Sequence, residues 1–109
     1  MIYEVELSEQ ADSDLREIFE YIAFELQSPE NAIGQLNRLE EQILSLDAMP
    51  KRYRKYEKEP WKSRELHILP VDNYVILYIP NSDKKVVTIL RVMYAGRDVD
   101  NQLNFHTKQ

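Results

Sequence analysis

Residues 74–94 read YVILYIPNSDKKVVTILRVMY, and this stretch decides how the chain folds. Tyr74–Ile79 is apolar on both faces, Pro80-Asn81-Ser82-Asp83 is a turn signal, and Val86–Tyr94 returns as a second β-type run. The three together predict an antiparallel hairpin. Its second strand carries Arg91 in mid-run and ends in Tyr94-Ala95-Gly96-Arg97-Asp98, with Gly96 read as the turn that closes it. Arg91 falls on the face shared by Val87, Ile89 and Met93, where a lone buried arginine would be costly. A structural pair with a helix carboxylate is therefore expected.

Upstream, Arg64–Leu69 reads as a short strand. Residues 47–63, DAMPKRYRKYEKEPWKS, fit neither the helical nor the strand period and predict a long loop. At the N-terminus Tyr3, Val5 and Leu7 alternate as in a half-buried strand. Ser8 is a candidate N-cap, followed by acidic residues suited to a helix start. Ala11, Leu15, Ile18, Ile22 and Leu26 then form one apolar stripe of a helix over about 9–26. Ser28-Pro29-Glu30 starts a second helix, whose stripe is Ala32, Leu36, Leu39, Ile43 and Leu46 and which stops before Pro50. The short link predicts an antiparallel helical hairpin. After Asp98 the polar tail holds Leu103 and Phe105, enough for one helical turn on the sheet.

The order β-α-α-β-β-β predicts an α+β fold. The helical hairpin packs on one face of a mainly antiparallel sheet of up to four strands, in a single domain spanning residues 1–109. The sheet's other face has no obvious cover and is expected to be open to a partner.

Composition narrows the function. There are no cysteines, so disulfides, thiolate metal sites and cysteine nucleophiles are excluded. The only glycines are Gly34 and Gly96, which rules out a glycine-rich phosphate loop. His67 and His106 are far apart in sequence, and neither a metal nor a cofactor is expected. No apolar run approaches the roughly 20 residues of a membrane span. MIYEVELSEQ does not resemble a secretory signal, so a cytoplasmic location is expected.

The net charge of −5 conceals two unlike halves. Residues 1–50 hold 12 acidic and 2 basic side chains, whereas residues 51–109 hold 7 and 12. Lys51, Arg52, Arg54, Lys55, Lys58 and Lys62 interleave with Tyr53, Tyr56 and Trp61 in the loop, with Arg64 just beyond. Such a segment suits phosphates and unstacked bases, though it also reads as a solvated charged surface. Arg64, His67, Tyr94 and Arg97 could supply metal-free RNA cleavage, arginine stabilising phosphorane charge and His or Tyr moving the 2′-hydroxyl proton. Each also has an ordinary structural reading.

YEVELSEQADSDLREIFEYIAFEL, SPENAIGQLNRLEEQILSLDAMP, NYVILYIP and VVTILRVMYAGRD, taken in order, resemble the RelE/ParE family of toxins from type II toxin–antitoxin pairs (the plasmid stabilisation family). The resemblance runs over about residues 2–103. It implies a growth-inhibiting toxin held inactive by a cognate antitoxin that wraps it, the pair repressing its own operon through the antitoxin's DNA-binding part. One branch cleaves mRNA on the ribosome; the other poisons DNA gyrase.

The nuclease pattern is incomplete in this chain. Val75 stands where the resemblance implies an arginine, and Leu103 where it implies a tyrosine. Leu66 and Ile68 lie near its paired lysines, and only Arg97 is matched. A ParE-like gyrase inhibitor is therefore expected, with a ribosome-dependent RNA endonuclease as the alternative. A further alternative is an inactive homologue that only binds antitoxin. In the gyrase case Tyr94, Arg97 and the basic loop (Lys51, Arg52, Arg54, Lys55, Lys58, Trp61 and Lys62) become target contacts.

Overall fold

The computed structural model describes residues 2–108. Strand β1 (Glu4–Leu7) leads into helix α1 (Glu9–Glu20), which continues as a wider π-helical turn over Tyr21–Glu25. Ser8 caps α1, its hydroxyl accepting from Ala11 N at 3.0 Å. Helix α2 (Pro29–Leu44) runs back, strands β2 (His67–Val71), β3 (Tyr74–Asn81) and β4 (Val86–Tyr94) follow, and α3 (Val99–His106) closes the chain. The sheet order is β1-β4-β3-β2, with β1 parallel to β4 and the other pairs antiparallel. This is the α+β architecture expected from the order of elements.

The first core lies between the sheet and the helical hairpin. Ala11 and Leu15 of α1, Leu39 and Ile43 of α2, and Leu46 meet Ile76, Tyr78, Val87, Ile89 and Val92 there. Tyr78 is fully buried and donates its hydroxyl to the Pro50 carbonyl at 2.5 Å.

A second core occupies the opposite face, which corrects the expectation that this face is open. Val75, Leu77, Leu90 and Met93 are covered by Trp61 and Leu66 from the loop and by Leu103 from α3. The physical reason is visible in YVILYI: a strand apolar on both sides requires cover on both sides. The tail therefore forms a helix of 8 residues rather than a single turn.

Local departures from simple periodicity account for the other differences. A π turn inserts one residue per turn, so the stripe of α1 loses phase after Glu20. Ile22 and Ala23 pack on Ala32, while Leu26, the expected end of the stripe, is 56 % exposed. On β4 the register shifts between Leu77↔Arg91 and Tyr78↔Ile89, leaving Leu90 as a bulge. The bulge reverses the alternation. Val87 and Ile89 thus face the first core and Met93 the second, instead of sharing one face.

Strand β2 begins at His67, later than expected, because Arg64 lies in a turn and Glu65 takes a left-handed φ of 64°. Pro80, expected in the turn, lies within β3 opposite Val87. The loop also protects the sheet's free β2 edge. Ile68 N donates to Arg54 O at 3.0 Å, and Tyr56 N donates to Leu66 O at 2.8 Å.

Candidate functional site

The helical hairpin overhangs one end of the sheet, and a groove of about 1170 Å³ opens between its tip and the ends of β3 and β4. Tyr21 enters from the π turn, Tyr74 from the first position of β3 and Tyr94 from the last of β4. Tyr74 and Tyr94 are direct register partners. Their rings meet edge to face, with centroids 5.9 Å apart and planes at 72°. Burial raises the Tyr74 phenol above its ordinary pKa, and the neighbouring phenols of Tyr94 and Tyr21 add to the shift.

Gly96 sets the position of the Tyr94 ring. A Cβ at Gly96 would lie 2.3 Å from Tyr94 Cε2, so any side chain there would push the ring out of its present position. Space, not backbone angle, is what the glycine supplies here, since neither glycine has a positive φ.

Two ion pairs secure the walls of the groove. Asp14 of α1 accepts from Arg91 Nε at 2.7 Å and Nη2 at 2.9 Å, and also from Val92 N at 2.9 Å. It thus occupies the part of the β4 edge that β1 does not reach, and it is the carboxylate that Arg91 was expected to find. On the other wall Arg38 Nε donates to Asp72 at 2.8 Å, and Gln35 Nε2 donates to the same oxygen at 3.0 Å. These donors, Arg38 first, hold the Asp72 carboxyl below its ordinary pKa. Arg97 lines the groove from the turn after β4.

The four residues considered for RNA cleavage do not converge. Tyr94 and Arg97 sit at the end of the sheet where Val71 pairs with Tyr74. His67 pairs with Tyr78, four residues earlier on β2. That separates His67 from Tyr94 by roughly 13 Å along the strands and about 10 Å across them. His67 is also buried at 2 % exposure, its Nδ1 is 2.8 Å from Glu65 O, and its ring packs on Tyr78. Arg64 is exposed and lies over the Trp61 ring at 5.1 Å.

Within the basic loop, Trp61 is a core residue with 2 % exposure and donates from Nε1 to Asn104 Oδ1 at 2.9 Å. Lys58 pairs with Asp100, and Lys55 pairs with Glu65 at 2.7 Å. Arg52 lies on the Tyr53 ring at 4.9 Å. Lys51, Arg54 and Lys62 are exposed and, among the described residues, form no ion pair. Arg54 and Lys55 lie along the β2 edge, whereas Lys58 and Trp61 reach across to α3, and no residue of 51–62 lines the tyrosine groove among the described residues.

A second groove of about 570 Å³ is mainly apolar and lies between β1 and the helical hairpin. Val5, Leu7, Leu15, Phe19, Ile43 and Leu44 line it, and Leu7 and Leu44 are 45 % and 65 % exposed.

Tyr21 and Tyr74 did not emerge from the sequence as site residues. For Tyr74 a signal existed, because a hairpin drawn from 74 to 94 pairs its two terminal tyrosines. Tyr21 carried none, since its exposure depends on the π turn.

The family model of the ParE toxin of type II toxin–antitoxin systems, parDE, matches residues 5–99. Among solved structures, the chromosomal ParDE system of P. aeruginosa aligns with a TM-score of 0.71 at 18% identity, over 85% of this chain and 96% of that one. The toxin–antitoxin complex RelBE2 from Mycobacterium tuberculosis aligns with a TM-score of 0.64 at 21% identity, over 86% and 99%. A mutant of the E. coli toxin RelE in the free state gives 0.64 at 16%, over 91% and 90%. No curated protein sequence matches. At these identities the structural likeness is one of fold.

Proposed function

We propose, from the premise that this chain belongs to the ParE toxin family of type II toxin–antitoxin systems, that it arrests growth by binding and inhibiting a replication enzyme such as DNA gyrase. The observation that carries a binding mechanism over RNA cleavage is the separation of Tyr94 and Arg97 from Arg64 and His67, with His67 buried. General acid–base cleavage needs its groups within hydrogen-bonding reach of one phosphodiester. A contact surface needs no such convergence, and the groove carrying Tyr21, Tyr74, Tyr94 and Arg97 is the surface assigned to the target.

A cognate antitoxin completes the proposal. The apolar groove beside β1, with Leu7 and Leu44 exposed, suits an amphipathic segment laid against it. Operator DNA would be reached only through that antitoxin, and the pair would act in the cytoplasm.

Two measurements test the reading. Purified chain should inhibit gyrase supercoiling in a concentration-dependent way. In cells, pulse-labelling after induction without antitoxin should show DNA synthesis falling before protein synthesis. An early fall in protein synthesis would instead support ribosome-dependent RNA cleavage, a reading favoured by the exposed Lys51, Arg54 and Lys62, which form no ion pair among the described residues. Under it Tyr94→Phe and Arg97→Ala should abolish arrest. Harmless expression without antitoxin would leave only a regulatory, antitoxin-binding role.

A further inference from the structure

The tip of the helical hairpin combines two features that bear on what the groove can bind. Between Arg16 and Arg38 there is no basic residue, while Glu17, Glu20, Glu25 and Glu30 are all present and exposed. Among the described residues none of these four forms an ion pair. The same tip exposes Tyr21, Phe24, Leu26 and Ile33 by 55%, 71%, 56% and 53%. An acidic, apolar surface of this kind repels phosphate and attracts a cation that carries hydrocarbon with it.

Inside the groove the chemistry is more specific. Tyr21, Tyr74 and Tyr94 present three phenol rings, and Glu17 lines the same wall one helical turn before Tyr21. Tyrosine faces attract guanidinium, and a carboxylate alongside can accept from its fork of N–H groups. The exposed Leu26 and the neighbouring Ile22 supply an apolar flank for an arginine stem. Arg38 offers no competition because Asp72 and Gln35 hold it. Arg97 on the opposite lip is the one cation in the groove outside an ion pair among the described residues.

We infer that the groove is a receptor for an arginine side chain on the surface of the target protein, held among Tyr21, Tyr74 and Tyr94 and paired with Glu17. This rests on the protein-binding reading above and specifies the chemistry of the partner: a cationic segment with apolar neighbours, not a nucleic acid. Arg97 then opposes binding by like charge.

The test uses the purified chain and the tripeptide acetyl-Gly-Arg-Gly-amide, with its citrulline counterpart as the neutral isostere. Tyrosine ring signals are followed by NMR, and thermal unfolding confirms that each variant is folded. Shifts should centre on Tyr21, Tyr74 and Tyr94. Citrulline should bind about tenfold more weakly, in keeping with loss of a partly desolvated cation–ring contact and an ion pair. Glu17→Gln should weaken arginine binding, and Arg97→Gln should strengthen it.

Equal shifts with citrulline, shifts confined to the groove beside β1, or weaker binding in Arg97→Gln would each overturn the inference. So would an RNA oligonucleotide that moves the same three rings and loses its effect in Arg97→Gln. Gyrase supercoiling separates the two proposals. If the wild-type chain inhibits and Glu17→Gln and Tyr21→Leu inhibit equally well, the arginine receptor fails and the gyrase reading stands. If the peptide binds as described but supercoiling is unaffected, the gyrase reading fails and the groove's chemistry stands.

Discussion

Asp14 and Arg91 form a two-pronged ion pair between the first turns of α1 and the bulged strand β4, each side chain only 8% exposed. The pair also stops β4 from ending as a bare edge, because Asp14 takes the Val92 N–H that β1 is too short to reach. Arg91 Nη1 continues to His106 O and Thr107 Oγ1, so the same guanidinium anchors the end of α3. Removing one partner leaves a buried charge uncompensated. Asp14→Ala should therefore cost about 3–5 kcal/mol. Urea unfolding would measure it, and α3 should loosen first in hydrogen exchange. A loss below about 1 kcal/mol would mean that water reaches Arg91 and the pair is not the anchor described here.

Trp61 separates a core role from a contact role. Its ring closes the second core, and its N–H is satisfied by Asn104. Trp61→Ala should destabilise by about 3–5 kcal/mol, the usual range for emptying a buried aromatic site. Lys62→Ala, next in sequence but exposed, should be close to neutral for stability. Chemical denaturation of the two variants checks the contrast. Equal small losses would return Trp61 to the surface.

The parts of this fold that follow a regular period were legible in the sequence, and the parts that break one were not. Leu15, Leu39 and Ile43 lie on stripes that remain in phase, and they are core residues. Leu26 falls out of phase because Leu26 N bonds Tyr21 O, five residues back, a choice that no propensity encodes. Met93 changed faces because one bulge at Leu90 reverses every later position on β4. The second core was signalled by Val75 and Leu77 in a run apolar on both faces, but its cover came from Trp61 in a segment without periodicity. The candidate site was the least legible part. Tyr94 and Arg97 could be named from one strand end, whereas Tyr21 joins them only through the hairpin's overhang.

Gly96 and Tyr94 make a paired prediction. In Gly96→Ala the new methyl meets Tyr94 Cε2 at 2.3 Å, so the ring must swing away from Tyr74. The ring is half exposed, and stability should change by less than about 1 kcal/mol. Target inhibition should fall as far in Gly96→Ala as in Tyr94→Ala, and the double variant should be no worse than either. Growth arrest after induction, with antitoxin binding as the control for folding, gives the comparison. Additive losses would show that Gly96 acts through something other than Tyr94.

Tyr78 ties stability to alkaline pH. Burial, with a smaller contribution from the Tyr53 phenol, raises its ionisation well above the ordinary value of 10.0. The folded pKa is raised, so this stabilisation is complete below pH 10.0 and is lost as pH rises from there toward the folded value. Tyr78→Phe should cost about 1–3 kcal/mol near neutrality by leaving the Pro50 carbonyl unpaired. The gap between wild type and variant should then narrow above pH 10.0, and melting temperatures across that range would show it. A gap that stays constant would mean the phenol ionises equally easily in both states.

Leu44 tests the proposed antitoxin groove without touching the groove proposed for the target. It lies on the last turn of α2, 65% exposed, and lines the apolar groove beside β1 rather than the tyrosine groove. Replacing it by glutamate costs the toxin little, because the side chain is already largely in water. An apolar antitoxin residue seated there would instead have to bury a carboxylate without a partner, a penalty large enough to weaken the complex at least about tenfold. Leu44→Glu should therefore still arrest growth when induced alone, while co-expressed antitoxin should no longer rescue it. Growth curves with and without antitoxin distinguish the possibilities. Full rescue would move the antitoxin off this groove, and loss of arrest in the toxin alone would mean that Leu44 also meets the target.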